Sequence, residues 1–210
     1  MKRAVAAIVF ALIVLFFTTA LGLSAIQLTG FPYTADIDYL KIPETAGISR
    51  EEVLLNYNAI MDFLSPFSDK EFSLPTISYS ERASTHFEEC KPLFNAVYLF
   101  GAVSAVILIV LILLKAVPKK TLRLSGAVTL IIPAVIGAAV MIDFDSAFTF
   151  FHKIFFEGST WIFDPVADSF ILIMPSTFFM HCANFIALFW VVGAVTQFVI
   201  GYSKGKVRKF

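Results

Sequence analysis

The sequence predicts an all-α membrane protein: four transmembrane helices, a small extracytoplasmic cap, and an interfacial, partly re-entrant segment before the fourth helix. Three observations predict it. The 210 residues are 58% hydrophobic and only 15% charged, with a mean hydropathy of +0.82, which is far from the composition of a soluble domain. Four stretches, 4–28, 93–114, 124–142 and 170–202, carry no charged residue. Each has about the 20 residues that cross the hydrocarbon of a bilayer, where only a helix satisfies its own backbone cheaply. The charges between them are sorted by sign. Lys2, Arg3, Lys115, Lys119, Lys120, Arg123, Lys204, Lys206, Arg208 and Lys209 fall at one set of span ends, and all 16 Asp and Glu lie in 29–92 and 143–169. By the positive-inside rule both termini are cytoplasmic and the two acidic segments are outside. The formal net charge is zero, which gives no basis for nucleic-acid binding.

The elements follow in order within a single membrane domain, 1–210. The first span, 4–28, follows Lys2 and Arg3 and contains the small residues "ALGLSA", as a signal peptide does. Its uncharged run of about 25 residues exceeds the 7–15 of a signal peptide's apolar region, so it reads as a retained helix. The cap is 29–92. Its "YTADIDYLKI" alternates weakly and suggests a short strand. "ISREEVLLNYNAIMDFL" is an amphipathic helix: Ser49 precedes Glu52 by the capping-box spacing, and Val53, Leu54, Tyr57, Ile60, Met61 and Leu64 share a face. Ser65-Pro66 ends it. "FSLPTISY" reads as extended, because Pro75 and β-branched residues disfavour helix. Ser80 caps a further helix that leads into the second span, 93–116, with a bend or restart at Pro92. The third span is 122–142 and the fourth 176–202. Between them, 143–175 is too rich in Phe and Trp for a soluble loop and suits the headgroup zone. Asp164-Pro165 has the cap-and-first-turn pattern of a short helix reaching to about residue 173.

The titratable groups cluster in "FFHKIFFEGSTWIFDP", 150–165, and around His86. His86 precedes the second span and His152 follows the third, so both sit at similar depth on the outer side. Imidazole is the natural proton carrier near neutral pH, and a pair of them can share acid and base roles. The plain alternative is that each is an interfacial polar residue bonded to a carbonyl. Glu89, at i+3 from His86, and Glu157, near His152, could hold an imidazole in one tautomer; Lys91 and Lys153 could equally meet lipid phosphates. Asp164 reads first as a cap. Asp168 is an acidic residue directly before "SFILIMP", where charge is expensive, and is a functional candidate. His181 and Asn184 share a face of the last span and read as an interhelical hydrogen-bonding pair. No HxxxH or HExxH spacing supports a metal, and Cys90 and Cys182 give no disulfide framework.

The ordered motifs resemble a bacterial four-helix membrane family. "FHKIFF" at 151–156, Trp161, "DPVAD" at 164–168 and "MPSTFF" at 174–179 follow its pattern F-H-x-I-F-F, W, D-P-x-x-D and P-E-x-F-F; "HFEECKPLF" at 86–94 follows H-M-x-D-V-K-x-L-F. The characterised members are lipoprotein intramolecular transacylases. The resemblance implies a reaction without cofactor or metal, in which an ester-linked acyl chain of a diacylglyceryl-modified lipoprotein moves to the amine of its N-terminal cysteine, giving the lyso form. It implies His86 and His152 as the proton-transfer residues at the outer leaflet of the cell membrane, and Glu89, Asp164 and Asp168 as orienting residues; Lys91 and Glu157 are further supporting candidates from their places near the two histidines. Phe151, Phe155 and Trp161 would line a lipid cavity. Membrane lipids are the other expected partner. This sequence departs from the pattern at Ser176 (Glu in the family), Glu89 (Asp), Cys90 (Val) and Gly158-Ser159 (an Asn-containing turn), which puts the substrate range in doubt. Two other readings stand beside it: a different lipid-acting acyltransferase or hydrolase using the same histidines, and a non-enzymatic membrane assembly protein.

Overall fold

A computed structural model describes residues 1–66 and 68–203. Lys204, Lys206, Arg208 and Lys209, which contribute to the predicted orientation, lie outside the described residues. The described chain forms α1 (Lys2–Thr29), α2 (Tyr33–Tyr39), α3 (Ile42–Ala46), α4 (Arg50–Phe63), α5 (Glu81–Leu113), α6 (Lys119–Ile142), α7 (Phe144–Phe155), a 3-10 turn (Ser169–Leu172) and α8 (Ser176–Tyr202). Helices α1, α5, α6 and α8 are apolar and long enough to cross a membrane. Among the described residues there is no strand.

Helix α1 is the hub of the bundle: it packs against α5, α6 and α8, and α6 packs along α8. Lipid provides no hydrophobic force between helices, so close backbone approach has to supply the contact energy. Small residues allow it. A methyl at Gly101 would overlap the Ala20 side chain, and one at Gly193 would stand 2.9 Å from Val14 Cγ1. Side-chain hydrogen bonds add specificity: Trp190 Nε1 donates to Thr19 Oγ1 at 2.8 Å and Gln197 Nε2 to Thr129 Oγ1 at 3.0 Å. Replacing Gly101 by Ala is expected to force α1 and α5 apart. The cost should be about 1–3 kcal/mol, the usual penalty of overpacking, seen as a lower unfolding midpoint in detergent. An unchanged midpoint would show that this helix pair yields freely.

Helix α5 is 33 residues long, about 50 Å at 1.5 Å per residue, well beyond the roughly 30 Å of hydrocarbon. Its uncharged run begins at Leu93, so residues 81–92 project past the membrane-spanning part. The helix starts where Ser80 accepts the Ala83 N–H. It runs through Pro92 as one continuous helix, so the chain does not restart there.

The cap is helical throughout its regular parts. Tyr33–Tyr39 is α2 and not the strand suggested by its weak alternation. Tyr33 and Ile37 stand one helical turn apart and are both fully buried, so helical burial, not a pleat, explains the pattern. Helix α4 begins with the predicted capping box, Ser49 and Glu52 each accepting the other's N–H at 3.2 and 3.1 Å. Tyr33 stacks on Tyr57 with centroids 3.6 Å apart, and Phe178 of α8 meets Tyr33 edge-on. The Tyr33 hydroxyl donates to the Ile173 carbonyl at 2.8 Å. One core thus joins α2, α4, the N-terminal end of α5 and the segment leading into α8. Residues 72–79 have no regular element and are pinned to α4 by Asn56, which exchanges two hydrogen bonds with Thr76.

The helix expected from 165 to about 173 does not form. Asp164 accepts the Val166 N–H on its side chain at 3.0 Å and the Asp168 N–H on its carbonyl at 2.7 Å, so it caps a single turn that goes no further, and a separate 3-10 turn follows at Ser169–Leu172. The segment is instead dominated by α7, whose Asp143 caps the Ser146 N–H.

Candidate active site

The cap-side end of α5 and the last turn of α7 bring His86 and His152 together. Their ring centroids are 5.8 Å apart, although 66 residues separate them in sequence. Both are buried, 7% and 8% exposed. Aromatic side chains close the space around them. Phe156 lies 4.6 Å from His86 and 5.4 Å from His152, Phe163 lies 5.5 Å from His86, and Phe148 and Trp161 lie 4.1 and 5.0 Å from His152.

The hydrogen bonds distinguish the two rings. His152 Nδ1 lies 2.8 Å from the Phe148 carbonyl oxygen. A carbonyl only accepts, so Nδ1 carries the proton and the neutral ring keeps its lone pair on Nε2. His86 Nε2 lies 3.5 Å from the Cys90 thiol, while its Nδ1 lies 4.0 Å from Glu89 Oε2, too far for a hydrogen bond. A carboxylate also only accepts, which favours the proton on Nδ1 and makes the thiol the donor to Nε2. Burial, reinforced by the neighbouring His152, lowers the His86 pKa to about 4. Burial lowers that of His152 too, against the bond to Phe148, which raises it. Both rings are therefore neutral at pH 7. Burial pushes the Cys90 thiol up to about 12, so it is no thiolate at rest.

Of the other sequence candidates, Glu89 and Trp161 join the pair. Glu89 accepts the Thr160 hydroxyl at 2.7 Å, which ties α5 to the segment after α7. Asp168 is buried, 3% exposed, and its Oδ1 accepts the Ser80 N–H at 2.7 Å at the start of the helix that carries His86. Its link to the site is that bond to the cap of α5. Three candidates fall elsewhere. Lys91 Nζ sits 4.4 Å above the Phe63 ring of the cap; Glu157 is exposed; Asp164 makes its own turn. Phe151 and Phe155, read as cavity lining, are 47% and 50% exposed. They lie tilted against each other on the outer face of α7, where only Phe151 approaches His152, edge-on. The enclosing aromatics are Phe148, Phe156 and Phe163 instead.

His181 does not pair with Asn184. Its Nδ1 meets Asp36 Oδ1 at 2.7 Å, fastening α8 to α2. Sequence reasoning missed Asp36. It lies one turn before Leu40 and beside Ile37 on the inward face of α2, which an early helical reading of "YTADIDY" would have marked. Among the described residues no group of His, Cys, Asp and Glu is arranged to hold a metal ion.

Two polar atoms of the site lack any partner: His86 Nδ1 and Trp161 Nε1. Buried polar groups are normally satisfied, and this pair flanks the imidazoles.

The model of the lipoprotein intramolecular transacylase family, Lit, matches residues 5–179. The chain belongs to that family. It is a multi-pass, membrane-integral acyltransferase of lipoproteins. The fold agrees with solved structures of the Lit transacylase from Bacillus cereus, determined in meso. One is 30% identical, with a TM-score of 0.86 over 95% of this chain and 94% of that one. A variant of the same protein in which a histidine is replaced by arginine gives 29% and 0.80 over 95% and 90%; one with alanine there gives 28% and 0.73 over 95% and 92%. No curated protein sequence matches the chain significantly.

Proposed function

We propose that His152 and His86 are the proton-transfer residues of an intramolecular acyl transfer on a diacylglyceryl-modified lipoprotein, at the outer leaflet, with both termini cytoplasmic. The observation that carries this is the single cluster of two buried, neutral imidazoles 5.8 Å apart. His152 Nε2 takes a proton from the attacking α-amine of the lipidated cysteine. The N–C bond forms as the ester C–O bond breaks, and the proton ends on the glyceryl hydroxyl, with His86 completing the relay. No external group is consumed. Holding amine and ester on one bound molecule supplies most of the advantage of an intramolecular reaction. Glu89 and Thr160 steady the His86 side, and Asp168 holds the start of α5 in place. Substrate reaches the rings from the α7 face, where Phe151 and Phe155 meet the lipid. The charge sorting along the sequence supports the orientation.

The test is to express the chain in a bacterium that makes only diacyl lipoproteins and to analyse the modified N-terminal peptide by mass spectrometry. An N-acylated, monoacylglyceryl peptide is expected; an unaltered diacyl peptide, with the protein present, would defeat the reading.

The pH profile is a second check. The substrate α-amine titrates near 8, whereas an ordinary histidine titrates near 6.5. Burial holds the His152 base below that ordinary value, so between about pH 6.5 and 7.5 only the amine should gain a proton as the pH falls. Log rate should rise with unit slope across that window. A slope of two already reached at about pH 6.5 or above would show that the base titrates no lower than an exposed imidazole.

A further inference from the structure

At the end of the bundle away from the cap, α1 and the α5–α6 turn enclose a groove of about 760 Å³. Its floor is apolar, built from Val9, Phe10 and Ile13 of α1 against Leu111 and Val117, and its mouth carries Lys2 and Arg3. The volume lies within the range of ligand-binding pockets. Two other cations at this end are differently placed. Arg123 donates to the Gly201 carbonyl at 2.9 Å and lies over the Tyr202 ring, and Lys119 donates to the Ser203 carbonyl, so both serve the end of α8. Lys2 and Arg3 have no ion-pair or side-chain hydrogen-bond partner among the described residues. The nearest acidic residue in sequence to either is Asp36, at the opposite end of α1.

An apolar trough at membrane depth with two free cations at its rim matches one chemistry: acyl chain below, anionic phosphate above. We infer that this groove is a binding site for an anionic glycerophospholipid of the leaflet at that end. Basic pockets between transmembrane helices recognise such headgroups. The bound lipid would brace α1, the hub of the bundle, against the α5–α6 turn. The site is remote from the imidazoles and does not depend on the acyl-transfer reading.

Native mass spectrometry of the full chain, released from nanodiscs of equimolar phosphatidylglycerol and phosphatidylcholine, tests it. One retained phosphatidylglycerol per chain is expected, with a preference of about thirtyfold from two cations near the surface, weakening as salt rises. K2Q/R3Q should bring the two lipids to parity. Ala6→Phe, which fills the groove and keeps both charges, should remove the retained lipid, and Lys120→Gln should change nothing. Equal binding of the two lipids by the unaltered chain, or a preference that survives either K2Q/R3Q or Ala6→Phe, overturns the site.

Discussion

Replacing His152 by Gln is expected to lower N-acylation by about 10²–10⁴-fold, the usual worth of a positioned proton-transfer group, while the protein still accumulates in the membrane. Gln occupies similar space and offers a carbonyl and an amide, but it cannot hold a proton. The His152 ring is oriented to do so, because the Phe148 carbonyl fixes the Nδ1 proton and leaves Nε2 as the acceptor. His86→Gln should cause a comparable loss. The rings are 5.8 Å apart and share Phe156 as a wall, so neither change is independent of the other. The double variant should therefore fall far less than the product of the single losses, as groups acting as one unit do. Peptide mass spectrometry gives the rate, and membrane abundance separates chemistry from folding. Full activity in either single variant would remove that ring from the mechanism.

The spans were legible because length and apolar composition suffice to specify them. The capping box at Ser49 and Glu52 was legible because it is local. What the sequence lacks is the rotation of each helix against its neighbours. It placed His86 and His152 at one depth, but only the packing of α7 against the cap-side end of α5 joins them. Lys91 illustrates the limit. Five residues from His86 it points about 140° away around the helix, to Phe63 in the cap. Phe151 and Phe155 flank His152 in sequence, yet α7 turns them outward while Phe148 and Phe156, four residues either side of His152, face the rings. Asp36 was hidden by a period misread as that of a strand, and with it the true partner of His181.

Asp168→Ala is expected to slow acyl transfer on the order of tenfold without touching a reacting atom. Asp168 Oδ1 accepts the backbone N–H of Ser80, the cap of α5, where the helix's positive end also favours a carboxylate. Three further bonds dock the same segment: Thr160 to Glu89, Arg82 to the Ile162 carbonyl, and Ser78 with Ser169. The Asp168 bond involves the most deeply buried side chain of the four, 3% exposed. Its loss leaves the Ser80 N–H unpaired, at a cost of about 1–3 kcal/mol. The docked segment carries Trp161 and Phe163, which lie 5.0 Å from His152 and 5.5 Å from His86, so loosening it loosens the enclosure of both rings. Two observables separate this from general instability. Amide exchange should speed up at Ser80–Ala83 and in 160–169 while the core of α1 stays protected. Asp168→Asn, which keeps an accepting oxygen, should recover part of the activity. If Asp168→Ala leaves both the rate and the exchange at Ser80 unchanged, the carboxylate does not hold the segment that walls in the imidazoles.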